Sequence, residues 1–128
     1  MNGKQMFNAI VATMGSVFTY ILGGWDTSLI VLTCFITMDY LTGVISAIIM
    51  QCLNSHVGFK GLLRKCTIFI VLIVATLLDR LVGKGTWMFR TFTCYFYIAN
   101  EGISILENCG KCGLKLPQKL VNVLQQLK

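Results

Sequence analysis

The sequence predicts an all-α integral membrane protein with three or four transmembrane helices and a short C-terminal amphipathic helix. Three observations predict it. Of the 128 residues, 55% are hydrophobic and only 12% charged, with a mean hydropathy of +0.73. A soluble domain carries about twice that charge fraction. The charges cluster, leaving apolar windows of the kind that span a bilayer, for which about 18 or more residues are needed. Glycine-containing breaks divide those windows. Together they use most of the chain and leave no room for a separate catalytic domain, so residues 1–128 read as one membrane domain.

The first helix is expected over about residues 6–22. Met6, Phe7, Ile10, Val11, Met14, Val17, Phe18 and Ile21 recur at helical spacing, opposite a small, uncharged face of Ala9, Ala12, Thr13, Ser16 and Thr19. At about 1.5 Å per residue the segment reaches roughly 25 Å, marginal for a span. It either crosses or lies at the interface, and the lack of a basic face favours crossing. One lysine, Lys4, and no small-x-small site argue against a cleavable signal. The "GGWD" break from Gly23 to Asp26 follows, with Trp25 suited to headgroup level.

The second helix is expected over about 27–52, a polar loop "LNSHVGFKG" over 53–61, and the third helix over about 62–82. The third opens with Arg64 and Lys65 and closes with Asp79 and Arg80, read as an interfacial pair. "GKG" turns the chain into a fourth helix over about 86–107. Pro117, suited to a first helical turn, begins a tail helix over about 116–127. Its stripe of Leu116, Leu120, Val121, Leu124 and Leu127 opposes Gln118, Lys119, Asn122, Gln125, Gln126 and Lys128, a pattern for resting on a membrane surface or a partner.

The net charge of +6 raises the question of nucleic acid, but the basic residues flank the spans, where they orient them. Lys4, the cluster Lys60, Arg64 and Lys65, and the tail lysines Lys111, Lys115, Lys119 and Lys128 fall on one side. Arg80, Lys84 and Arg90 oppose them, offset by Asp26 and Asp79. The larger set is expected to be cytoplasmic, with the C-terminus inside. Trp25 and the basic cluster are therefore the candidate membrane-surface or regulatory residues.

Four of the six cysteines (Cys34, Cys52, Cys66, Cys94) lie in or beside apolar runs and behave as small hydrophobes. Cys109 and Cys112 form a lone C-x-x-C, while a structural zinc site takes about four ligands and the one histidine, His56, is distant. No metal or cofactor is expected, and no nucleophile, base or phosphate-binding loop marks an enzyme.

The candidate functional residues are the intramembrane polar ones. Asp39 lies close to mid-helix, where an aspartate costs about 2.5–3.5 kcal/mol on insertion scales. No basic residue is expected at its depth, so its partners are expected to be neutral: Thr33, Thr37, Thr42, Tyr95, Tyr97 or Asn100. Gly43 and Ala47 continue its face as a small-x-x-x-small seam. Asp39 is thus a clamp between helices, a lining group for a water path, or a proton relay. Asn100, Glu101 and Ser104, with Asn108 beyond, form a second polar stripe among Ile98, Ile103, Ile105 and Leu106.

"LGGWD", "MDYLTGV", "VGFKGLLRK", "LLDRL", "FYIANEGISILEN" and "GLKLP" occur in the order seen in the phage holin family of clostridial and other Gram-positive prophages, which the chain resembles over nearly its whole length. "NEGISILEN" followed by the G-L-x-x-P tail is the most specific part. Cys109 and Cys112 depart from the pattern. The resemblance implies a homo-oligomer in the host cytoplasmic membrane that opens lesions for an endolysin, a functional partner it need not touch. The toxin-release holins of clostridia are relatives, so a large toxin is the other implied cargo. A small transporter or ion channel with an intramembrane carboxylate is the alternative, and a holin antagonist a third class.

Overall fold

The computed structural model describes residues 1–127, all helix and turn: α1 (Gly3–Leu22), α2 (Thr27–Ile49), α3 (Ser55–Val82), α4 (Met88–Lys111) and α5 (Gln118–Leu127). Three helices, α1, α2 and α3, are long and apolar enough to cross a membrane. The chain is a multi-pass membrane protein. Helix α4 has the length but is more polar; Arg90 and Glu101 are buried in the bundle, while Glu107 and Lys111 near its end are exposed.

Local chemistry sets the helix ends. Asn2 and Gln5 form a capping box at the start of α1, and Asp26 accepts from the Leu29 N–H (3.0 Å) to start α2. Helix α2 stops at Ile49, short of the expected 52, because Gln51 takes a left-handed φ of 56°. The expected loop over 53–61 is mostly helix. Asn54 accepts from the His56 N–H (2.9 Å) and α3 runs on from Ser55. That early start places Lys65 about ten residues inside α3 rather than at its mouth.

Asp26 lies beside Arg90, while Asp39 and Thr42 lie beside Ser104 and Asn108, so α2 and α4 run in the same direction and pack along most of their lengths. Helix α3 runs antiparallel to both. Leu22, Leu29, Leu32, Ile36, Ile68, Leu72 and Cys94 form the apolar core, confined to the half of the bundle nearer Trp25. In the other half a cleft opens, lined by residues of α2, α3 and α4. Ile30, Leu41, Ile45, Ile70, Val74, Leu81 and Phe92 point outward, as lipid-facing side chains do.

Helix α1 stands apart. It is exposed from Gly3 to Phe18 and meets α3 only near its C-terminal end, where Leu22 is buried. The tail helix rests on α4. Leu116 lies near Gly110, and Gln126 shares a cleft with Thr86, Met88, Phe92 and Phe96, so α5 folds back along α4 in the opposite direction. Lys128 lies outside the described residues.

Candidate functional site

Buried positions on α2 fall at Leu29, Leu32, Ile36, Asp39 and Ser46, those on α3 at Ile68, Leu72, Ala75 and Thr76, and those on α4 at Arg90, Cys94, Ala99, Glu101 and Gly102. On α2, steps of three and four carry the inward stripe from Leu29 through Leu32 and Ile36 to the charged Asp39. Asp39 lies about ten residues before the end of α2, Lys65 about ten after the start of α3, and Glu101 about ten before the end of α4. All three therefore share one level, roughly 15 Å from that end of the bundle at 1.5 Å per residue.

Lys65 Nζ donates to Asp39 Oδ2 and to Glu101 Oε2 (2.7 Å), joining all three helices through one ammonium. Asp39 Oδ1 accepts from Ser104 Oγ (2.6 Å) and Asn108 Nδ2 (2.9 Å). Asn108 Nδ2 also reaches the Asp39 carbonyl (3.2 Å) and Thr42 Oγ1 (3.0 Å). Asp39 and Glu101 are 6% and 7% exposed. Two carboxylates share one lysine, so the fully ionised cluster carries one net negative charge. Apolar helix faces gain little by leaving lipid for each other, and this network supplies the directional part of the packing.

The expectation of neutral partners for Asp39 is thereby corrected. Thr33 and Thr37 bond their own helix carbonyls, and Tyr95 is exposed. The charged partner is Lys65, which by its sequence position falls among the membrane-surface bases. A helical signal for it existed, since Lys65 shares a face with Ile68, Leu72 and Thr76 whereas Arg64 does not.

Below the cluster, toward Asn54, opens a cleft of about 290 Å³. Gly43, Ala47, Gly58 and Gly61 form its walls, and Asp39, Lys65, Ser104 and Asn108 its deep end. The small residues leave room rather than bring backbones together: a Cβ on Gly43 would meet Asn108 Nδ2 at 3.6 Å, and one on Gly61 would meet nothing within 4 Å. Asp39 thus bonds to both α3 and α4 and lines this cleft. Asn100 is half-buried with no side-chain hydrogen bond among the described residues. Lys60, Arg64, Lys111, Lys115 and Lys119 are exposed, and Cys109 and Cys112 are half-buried free thiols.

A second lock closes the Trp25 end. Arg90 is 4% exposed and donates from Nε to the Leu22 carbonyl (2.7 Å), from Nη2 to that of Gly24 (2.9 Å), and from Nη1 to Asp26 Oδ2 (2.7 Å). It binds the last carbonyls of α1, where a cation is favoured. The hydrogen bond from Arg90 holds the Asp26 carboxyl below the usual aspartate range. Gly23 (φ +84°) allows this approach, because a Cβ there would lie 2.5 Å from Arg90 Nε.

The expected Asp79–Arg80 pair does not form. Asp79 accepts from the N–H groups of Phe89 (3.0 Å) and Arg90 (2.8 Å), capping α4 from across the turn where Trp87 provides no side-chain cap. Arg80 Nη2 instead donates to the Tyr20 carbonyl (2.7 Å). Trp25 is exposed and donates from Nε1 to Thr19 Oγ1 (3.1 Å). Helical spacing carries no signal for the Asp79 and Arg80 contacts, which reach across a turn or between helices.

Residues 16–128 match the bacteriophage holin family. An uncharacterized protein of Clostridium acetobutylicum is 49% identical over 96% of this chain and 98% of its own length. An uncharacterized 14.9 kDa protein of Clostridium perfringens is 52% identical over 91% of this chain and 89% of its own. A probable holin of Bacillus phage phi105 is 38% identical over 71% of this chain and 67% of its own. No solved structure matches the chain.

Proposed function

The chain belongs to the bacteriophage holin family, and from that premise we propose that it assembles as a homo-oligomer in the bacterial cytoplasmic membrane and opens lesions that release an endolysin. The observation that carries this reading is the Asp39–Lys65–Glu101 cluster at the deep end of an open cleft, within a bundle whose mid-helix outer surface is mostly apolar. Charged and polar groups placed there gain when they face water rather than lipid. Copies arranged with their clefts facing one another would line a hole with Gly43, Ala47, Ser104 and Asn108, and the Lys65 bridge would hold the helices in the closed arrangement beforehand.

With the C-terminus cytoplasmic, Lys60, Arg64, Lys111, Lys115 and Lys119 face the anionic inner leaflet, where each basic group near the surface is worth about 1 kcal/mol. Changing Lys111, Lys115 and Lys119 to glutamine should therefore shift the onset of lysis at equal expression. An unchanged onset removes these lysines from regulation. Endolysin is a functional partner in this reading, with no direct contact required.

The deciding experiment expresses the chain with an endolysin and follows potassium leakage together with release of a cytoplasmic enzyme. A holin releases both abruptly. A small ion channel releases potassium alone, and an antagonist releases neither.

A further inference from the structure

Apart from the charged cleft, the Trp25 end of the bundle holds a cation, Arg80, that forms no ion pair among the described residues. Its guanidinium lies 3.9 Å from the centroid of the Tyr20 ring and 5.0 Å from that of Trp87. Nη2 donates to the Tyr20 carbonyl, Nε is buried without a partner, and Nη1 makes no hydrogen bond among the described residues. Tyr20, Asp79, Arg80, Gly83, Gly85 and Trp87 line an open cleft of about 350 Å³ around it. Lys84, next in sequence to the lining residues Gly83 and Gly85, is exposed. Asp79 is the carboxylate in the lining, and both of its oxygens already accept from the first amides of α4.

The chemistry of such a site is specific. Aromatic rings fix the plane of the guanidinium, and its remaining N–H edge presents donors that match phosphate oxygens better than an ammonium does. Trp25 and Trp87 at the same end are side chains that favour the headgroup level of a bilayer. We propose that this cleft binds the phosphate of a membrane lipid headgroup, with Arg80 donating to the phosphate oxygens and Lys84 flanking it. The site requires that the helices cross a membrane and is independent of lesion formation. Holding a lipid there would anchor the junction of α1, α3 and α4.

Native mass spectrometry of the detergent-purified full chain tests this, with phosphatidylglycerol and a neutral glucosyl diacylglycerol as probes. The wild type should bind one phosphatidylglycerol per chain saturably and discriminate against the glycolipid. Arg80→Gln should bind about tenfold or more weakly, the scale of one charge-assisted hydrogen bond. Arg80→Lys should fall between them. Equal binding by wild type and Arg80→Gln, or equal retention of the two lipids by wild type, overturns the proposal. If Arg80→Gln loses its helical circular dichroism, the wild-type comparison of the two lipids decides alone. Displacement of the lipid by millimolar inorganic phosphate would support the phosphate chemistry and assign it to the free ion, whereas persistence assigns it to the lipid.

Discussion

Replacing Lys65 by methionine tests the reasoning about the cluster most directly. The lysine side chain is 17% exposed, and those of Asp39 and Glu101 are 7% and 9%. Methionine fills similar volume but leaves two buried carboxylates facing one another with no cation. Removing one partner of a buried ion pair costs about 3–5 kcal/mol. The cleft gives water some access, which favours the lower end, about 3 kcal/mol. At about 1.4 kcal/mol per tenfold, this is roughly two orders of magnitude in the folded-to-unfolded ratio. Asp39→Asn should cost less, about 2 kcal/mol, because Lys65 keeps Glu101 and the amide oxygen still accepts from Ser104 and Asn108, while the amide nitrogen replaces the oxygen that accepted from Lys65. The assay is SDS titration of helical circular dichroism in mixed micelles, with lysis onset measured beside endolysin. The triple variant Lys65→Met, Asp39→Asn, Glu101→Gln carries no buried charge in the cluster and should recover most of the loss. Equal midpoints for Lys65→Met and wild type, or a triple variant no better than Lys65→Met, would refute a lock held by the charge of Lys65.

Three further predictions concern the Trp25 end. Gly23→Ala should destabilise the bundle more than Gly24→Ala in the same titration. Both positions have positive φ, but only at Gly23 would the new methyl strike Arg90. Asp79→Ala should cost about 1 kcal/mol, the usual scale of a lost helix cap, and should raise amide exchange at Phe89 and Arg90 without affecting Glu101. The Asp26 carboxyl is held low by Arg90, so its contribution is complete above the unfolded value of about 3.9 and lost as pH falls through the lower folded value. A stability profile below pH 4 should flatten at its acid limb in Asp26→Asn, modestly, because the carboxylate is half exposed.

The positions of the polar residues were legible where periodicity spoke. Asp39, Glu101 and Ser104 stand on inward stripes at helical spacing, and the structure brings them together. Lys65 was misplaced by a single boundary. Gly58 and Gly61 made the 53–61 stretch resemble a loop, yet glycine in a helix costs only about 1 kcal/mol relative to alanine, and the Asn54 cap and the length of α3 outweigh that. Asn100 is on the right helix but has no partner, since neighbouring positions face different helices. Asp79 as a cap for α4 has no local signature, because capping is normally read within a few residues of the helix it serves.

Composition and hydropathy determined by themselves that the chain is helical and membrane-embedded, because a bilayer core leaves backbone amides no partner but one another. The 3.6-residue period also put Asp39 on one polar stripe and Glu101 with Ser104 on another. Which charges meet was decided only by the tertiary structure. One ammonium is shared by two carboxylates from two other helices, and one guanidinium gathers carbonyls about 66 residues away in sequence. Those contacts depend on helix direction, depth and crossing, quantities that a one-dimensional pattern does not contain.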